Sequence, residues 1–548
     1  MAFPVESARM FTNSIKLKLF LLLLCLTAVP LAAQVPTPTG SPSPTPTLAP
    51  NAVPSLPELQ DRIRQHLARS EVRRGRVGVK IVSLNSGRVV FENDAEKYFM
   101  PASNMKNFTV ATALERLTPD YRFVTSVYAA TPPDAGGTIK GDLRIFGRGD
   151  VSMSPAFFAQ VQTTGDAAKA SSESAFYIGI DRLVDRIIQA GVKRVEGGLV
   201  GDESYFTGNP IPWTWEWDDL QGYYGTEISA LPINDNAVDL SVMPGARGSS
   251  CVVRILPFNQ VTRIVNRCVT TAAGTRRELR VVKPLDQNVV EVYGSVPVGD
   301  AEHKESVAVT RPANLFIELL RQRLEARGVK ITGQNRVENA LSRSPRSCTN
   351  CSPINASEIA RLESPPFSEI AARTMKPSQN MYTETILWTL GEVVGRALGK
   401  AEDSARLGIN VMKEFLGSIG IPADGIVPYD GSGLSRHNLI TPAAVVSLYT
   451  YMAKQSKYAQ AWRDSLTIAG VDGTLRNRMK GTAAQANFRG KTGTIDQVSA
   501  LSGYMTTAGG EQLVVSILVN GVPTTRERTS LIDDIVVTLA NFNGRIDQ

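Results

Sequence analysis

Three short motifs, hundreds of residues apart, put the strongest constraint on how this chain folds. Ser103-Asn104-Met105-Lys106 enters the apolar run Phe108–Leu117. Lys376-Pro377-Ser378-Gln379-Asn380 precedes a second apolar segment, and Arg489-Gly490-Lys491-Thr492-Gly493-Thr494 closes a strand-like one. Taken singly, each has an ordinary reading, such as a serine at a helix start with a solvated lysine one turn later. Taken together, they are the groups that acyl transfer needs, and that chemistry works only if the fold brings all three into one cleft.

The expected roles follow from residue type and spacing. Residues three apart on a helix share a face, so the Lys106 amine stacks beside the Ser103 hydroxyl. A serine is a poor nucleophile until a neighbouring base takes its proton, and a desolvated lysine is such a base. The free N–H groups of the helix start favour negative charge near Ser103. Ser378 is placed to relay a proton to a leaving amine, and the Asn380 amide to hold Lys106 or a substrate amide. Lys491 supplies a fixed positive charge, the Thr492 and Thr494 hydroxyls bind a terminal carboxylate, and Gly493 permits close approach to a strand edge. The N–H groups of Ser103 and Thr494 are the expected oxyanion donors. A further Ser-x-Asn, Ser83-Leu84-Asn85, falls at a hairpin turn and is explained by turn chemistry.

With 548 residues the chain has room for several domains, and its +7 formal charge is scattered rather than clustered, which argues against nucleic-acid binding. Lys16 and Lys18 ahead of the apolar run Leu19–Val29, closed by Ala32-Ala33, predict an export signal over residues 1–33 and hence a periplasmic or cell-envelope location. At most, an uncleaved N-terminal segment would touch a membrane. Residues 34–57 are rich in Pro, Thr and Ser and are expected to form a tether. The four remaining cysteines, Cys251, Cys268, Cys348 and Cys351, are disulfide candidates in an exported chain. Cys251 and Cys268 lie in strand-like runs, and Cys348-x-x-Cys351 could close locally. No second pair stands at metal-ligand spacing, and neither a metal nor a cofactor is expected.

Along the chain, Leu56–Ala68 reads as an amphipathic helix and Val77–Val82 with Val89–Phe91 as a hairpin. From Arg122 to Pro366 short β-like runs surround two helices, Phe176–Ala190 and Ala313–Arg327. Each ends at a glycine and turns into a strand, a weak internal repeat. Trp213, Trp215 and Trp217 read as anchors between parts of the fold more readily than as a ligand surface. Helices return over Phe367–Met375, Met381–Leu398 and Ser404–Ile419. Strands near Phe488–Gly493, Val498–Met505 and Gln512–Val519 follow, with a last helix over about Arg526–Phe542.

The ordered set Ser-x-x-Lys, Ser-x-Asn, Lys-Thr-Gly resembles that of the exported D-alanyl-D-alanine carboxypeptidase/endopeptidases, the class C low-molecular-mass penicillin-binding proteins. The resemblance extends to Gly201–Phe206, Trp215–Asp219, Asn234–Asn236, Asp430–Arg436 and Gly470–Leu475, and covers about residues 58–540. It implies an α/β (α+β) fold: a penicillin-binding/serine β-lactamase-like transpeptidase domain, an antiparallel sheet covered by helices, interrupted by two inserted β-rich domains. The catalytic domain is then expected at 58–121 and 367–548, an inserted αβ domain at 122–235 and 296–366, and a nested β-rich domain at 236–295. The resemblance also implies hydrolysis of terminal D-Ala or D-Ala cross-links in peptidoglycan stem peptides, with β-lactams acylating Ser103. In that family an acidic residue and an arginine grip the stem-peptide diamino acid. Asp202 and Arg436 are the candidates, although a turn-stabilising Asp after Gly201 and a carboxylate-paired arginine are the structural alternatives. Ile495-Asp496 departs from the small residue expected after Thr494.

Two other readings compete. A serine β-lactamase with these motifs needs a glutamate to activate the deacylating water, and none is assignable. A non-catalytic wall binder would be expected to lose nucleophile or base first, and both are kept.

Overall fold

The computed structural model of the protein describes residues 52–158, 167–341, 356–399 and 402–546. The proposed signal, Cys348 and Cys351 lie outside the described residues, as does most of the Pro-rich segment. The end of that segment is not a tether. Val53 is fully buried and bridges Phe542, and Ser55 caps the helix Leu56–Leu67 by accepting from the Glu58 N–H. Among the described residues no helix is long and apolar enough to cross a membrane.

One antiparallel sheet organises the part that holds the three motifs. Its six strands run in the order Thr467–Ile468, Arg489–Ile495, Val498–Thr506, Gln512–Asn520, Arg76–Ser83, Val89–Asn93. Both faces are covered, so Val498–Thr506 and Gln512–Asn520 are buried almost throughout rather than alternately. Successive side chains still point to opposite sides. Leu513, Val515, Ile517 and Val519 pack with Leu59, Ile63, Leu531 and Ile535 from the two terminal helices, Leu56–Leu67 and Thr525–Ala540. Val514 and Leu518 belong to the opposite core, with Phe108 and Leu448.

In that second core lies the helix Lys106–Leu117, entered through a short 3₁₀ turn at Ala102–Met105. Ten of its twelve residues are buried, the pattern of a helix with no solvent face. It packs against Asn380–Leu390, every residue of which is buried, and against Ser404–Ser418. The helix Pro442–Lys454, capped by the Thr441 hydroxyl, has no counterpart in the sequence reading although Thr-Pro is a helix-start signal.

The middle of the chain forms separate, smaller sheets. The two helix–glycine–strand units turn out to be structurally matched. The helices Ala167–Gln189 and Pro312–Ala326 lead into Gly191 and Gly328, both at positive φ. The strands that follow, Arg194–Val195 and Lys330–Ile331, pair in parallel. Leu199–Asp202 and Arg336–Glu338 do the same inside a five-stranded mixed sheet. Ala237–Met243 lies between Val252–Leu256 and His303–Ala308, so this layer continues past residue 295, where the nested segment was expected to end. Cys251 and Cys268 are disulfide-bonded. Cys251 stands just before its strand rather than in it, and joins Cys268 through its own N–H, 2.9 Å from the Cys268 carbonyl.

The loop Asp430–Ser435 runs against the start of the Ser103 turn, and Gly433 makes that approach possible. Its φ is +83°, and a β-carbon there would stand 1.8 Å from the Ala102 carbonyl oxygen. Gly433→Ala is therefore expected to destabilise the protein by about 2–3 kcal/mol in denaturant unfolding. A change below about 0.5 kcal/mol would show that the loop is not pinned at this point.

Candidate active site

The three motifs meet. The Lys106 amine is fully buried and donates to Ser103 Oγ at 3.0 Å, to Asn380 Oδ1 at 2.6 Å and to the Ser432 carbonyl at 2.7 Å. Ser103 is half-buried and so remains reachable. Ala102 just before it holds a positive φ of 45°, a strained conformation for a residue with a side chain. The Lys491 amine, also fully buried, donates to Ser378 Oγ at 2.8 Å and to the Thr492 carbonyl at 2.9 Å. Asn104 ties the first motif to the third by donating to the Lys491 carbonyl at 3.0 Å.

The strand Arg489–Ile495 is paired along its whole length with Val498–Thr506, but with Thr467–Ile468 only at Arg489 and Gly490. From Lys491 onward its other edge has no strand partner among the described residues, and the Ser103 turn packs against the strand's face. Gly493 is needed for this contact, since a β-carbon there would lie 2.6 Å from the Pro101 carbonyl and 3.1 Å from the Ser103 nitrogen. Thr492 and Thr494 share one strand face. Thr494 is exposed, whereas the Thr492 hydroxyl is 2.7 Å from that of Thr474. Thr474 is a functional candidate that motif reading missed.

The Ser378 loop is fastened from the same side. Ser378 sits at a positive φ of 69°. Lys376 pairs with Asp472 at 2.5 Å, and the Lys376 carbonyl accepts from the Thr474 N–H at 3.0 Å. Asn380 donates to the Tyr224 carbonyl at 2.9 Å, which links the site to the Trp-rich segment.

Burial dominates the electrostatics. It pulls the Lys106 amine from its usual 10.5 to about 7, against the opposing fields of Asp430 and Glu384. Burial, and then the neighbouring Lys106, hold Lys491 well below its ordinary range. Burial and the Asp430 charge push Glu384 up to about 8. A nucleophile beside an amine that loses its proton near neutral pH, facing an open strand edge and a second lysine, is equipped for acyl transfer to a substrate ending in a carboxylate.

Two expected substrate contacts fare differently. Asp202 has no exposed surface, and its carboxylate accepts from Arg144 at 2.9 Å and from the Ser204 hydroxyl at 2.6 Å. It is an internal ion-pair residue and is not presented to a ligand, so its assignment to substrate grip is corrected. Arg436 does lie beside the third motif: it donates to the Asp496 carbonyl at 3.0 Å and pairs with Glu216 at 2.8 Å. Asp496, unexpected in the sequence, is thus one of the groups that hold this arginine. The Trp-rich segment splits in function. Trp215 is buried and donates to Asp430 at 2.9 Å, an anchoring role, while Trp213 and Trp217 are exposed. Beside them Asp219 is pushed up to about 6 by burial and by the charges of Asp218 and Glu216.

Comparison with known proteins agrees with this geometry. The D-alanyl-D-alanine carboxypeptidase of Actinomadura sp. strain R39 is 33% identical over 478 residues, 85% of this chain and 81% of that protein. The D-alanyl-D-alanine carboxypeptidase DacB of Haemophilus influenzae is 24% identical over 82% of this chain and 86% of its own length. The crystal structure of penicillin binding protein 4 from Haemophilus influenzae superposes with a TM-score of 0.71 at 22% identity, covering 87% of this chain and 98% of that one, which shows the shared fold. The profile of the D-Ala-D-Ala carboxypeptidase 3 (S13) family matches residues 59–542, and the chain belongs to that family of serine peptidases.

Proposed function

We propose that this protein is an exported DD-peptidase that removes the terminal D-Ala of peptidoglycan stem peptides, or cleaves D-Ala cross-links, through an acyl-enzyme on Ser103. The observation that supports this most directly is the buried Lys106 amine, 3.0 Å from the Ser103 hydroxyl and poised to lose its proton near neutral pH. Ser103 Oγ attacks the carbonyl of the penultimate D-Ala while Lys106 Nζ takes the hydroxyl proton. The oxyanion forms between the N–H groups of Ser103 and Thr494. The departing D-Ala amine takes a proton from Ser378, whose hydroxyl is resupplied by the Lys491 ammonium at 2.8 Å. Lys491, Thr492 and Thr494 hold the terminal carboxylate. Water then attacks the acyl carbon, its proton passing through Ser378 back to the Lys491 amine, and Ser103 recovers its proton from Lys106. A β-lactam, whose strained amide presents the same carbonyl next to a carboxylate, enters as a covalent inhibitor.

Among the described residues no carboxyl group is hydrogen-bonded to Ser103, Lys106 or Ser378. A deacylating water therefore has no dedicated carboxylate base, which favours a peptidase with a long-lived penicilloyl adduct over a β-lactamase.

Incubating the mature protein with penicillin is expected to add one adduct to the peptide containing Ser103, read by mass spectrometry, alongside D-Ala release from a peptide ending in D-Ala-D-Ala. Ser103→Ala should lose both, and an adduct on another residue would refute the assignment. The acylation rate of the wild-type protein should climb with pH through about 7, because the protonated form of Lys106 cannot accept the hydroxyl proton. Lys106→Ala should slow acylation by about 10²-fold or more with the fold retained by circular dichroism. Lys491→Ala should weaken binding of the D-Ala-D-Ala peptide about tenfold or more, and unchanged binding would remove Lys491 from carboxylate recognition.

A further inference from the structure

Glu384 has no place in the chemistry above, yet it is buried within the site's support. It lies four residues past Asn380 on a helix with no solvent face, so both side chains leave the same side one turn apart. Asn380 meets the Lys106 amine directly, while Glu384 reaches behind it. The Glu384 carboxyl accepts from the Gly431 N–H at 3.0 Å and the Ser432 N–H at 2.6 Å. On the far side of the same Ser432 α-carbon, the Ser432 carbonyl receives the Lys106 amine at 2.7 Å. Thr109, on the Lys106 helix, donates to the Gly431 carbonyl at 2.8 Å and holds the same loop from below.

We propose that Glu384 is a positioning residue for the Lys106 amine: by clamping Gly431 and Ser432 it aims the Ser432 carbonyl, and its own charge is felt by the proton on the amine. The proposal rests on the reading of Ser103 and Lys106 given above. Four ionisable groups share this interior. Asp430 comes from the loop, Glu384 from the Asn380 helix, Lys491 from the strand edge and Lys106 from its own helix. The Asp430 carboxyl is occupied by the N–H groups of Gly433 and Ser435, by Asn438 and by Trp215. Burial, and then the Asp430 charge, push Glu384 up to about 8, next to a lysine that burial pulls down to about 7. The two groups therefore titrate in overlapping ranges and as a linked pair. An ionised Glu384 favours the protonated, inactive amine, whereas a neutral Glu384 favours the free base while still accepting the two loop N–H groups.

The test is the pH dependence of Ser103 acylation by penicillin across about pH 5–9, in the full chain, for wild type, Glu384→Gln and Glu384→Ala. Glutamine keeps an oxygen for the N–H groups but cannot ionise. Because Glu384 is largely neutral where Lys106 titrates, the glutamine variant should keep its rise in rate within about half a unit of the wild-type midpoint, with neutral-pH activity retained. Alanine removes the clamp and should cut the rate about tenfold or more at every pH. If the alanine variant does not fold, Glu384→Asp, whose shorter side chain cannot reach both N–H groups, takes its place. A glutamine variant as slow as the alanine variant, or an alanine variant with the wild-type rate, would overturn the proposal. A wild-type protein that penicillin does not acylate would overturn the reading of Ser103, and the proposal with it.

Discussion

A lysine amine kept away from water is what the rest of this structure is built to hold. Moving an ammonium into a protein interior costs several kcal/mol even after relaxation, and Lys106 meets that cost in two ways. Its three hydrogen bonds go to a hydroxyl, an amide oxygen and a peptide carbonyl, none of them charged. Its proton is also held loosely, with the amine titrating near 7 rather than 10.5. The unfolded chain then binds more protons than the folded one between those values, so this group's contribution to stability improves as pH rises through the window and is least favourable below it. The site is thus maintained against a local penalty, and the almost wholly buried helices around it supply the compensating apolar burial.

Convergence of the three motifs depends as much on residues around them as on the motifs themselves. Gly433 and Gly493 let a loop and a strand edge close on the Ser103 turn from two directions. Asp472 and Thr474 carry the second motif to the third, one through Lys376 and the other through Thr492. Trp215 reaches from the middle of the chain to Asp430, the residue that shapes the loop behind the amine. Each of these lies within a stretch that the family resemblance had singled out, and geometry gives the reason: every one fixes how segments of the site sit against one another.

The limits of the sequence reading follow from the same distinction. The motifs and the late strands were legible because their signals are local: residue type at fixed spacing, and apolar runs bounded by turns. Asp202 was not, because its partner Arg144 lies 58 residues away, on a neighbouring strand of the five-stranded sheet. Nothing in Gly201-Asp202-Glu203 distinguishes an exposed turn from a buried ion pair. Glu384 was equally hidden, a single acid in an apolar helix whose purpose depends on a loop 47 residues further on. The helix–glycine–strand repeat lay between these cases. Each unit was visible from its glycine, but their parallel pairing is a long-range fact that the repeat only suggested.

Two buried lysines in one cleft also constrain each other. Lys491 is lowered first by burial and then by the charge of Lys106, so two full positive charges are disfavoured at this spacing. On the proposed reading the tasks require opposite states: Lys491 charged to hold a carboxylate, and Lys106 neutral to accept a proton. An arriving substrate carboxylate stabilises the ammonium of Lys491, and that charge in turn makes protonation of Lys106 less favourable. On that reading, recognition of the substrate's terminus and the protonation of the base at the nucleophile are linked through electrostatics.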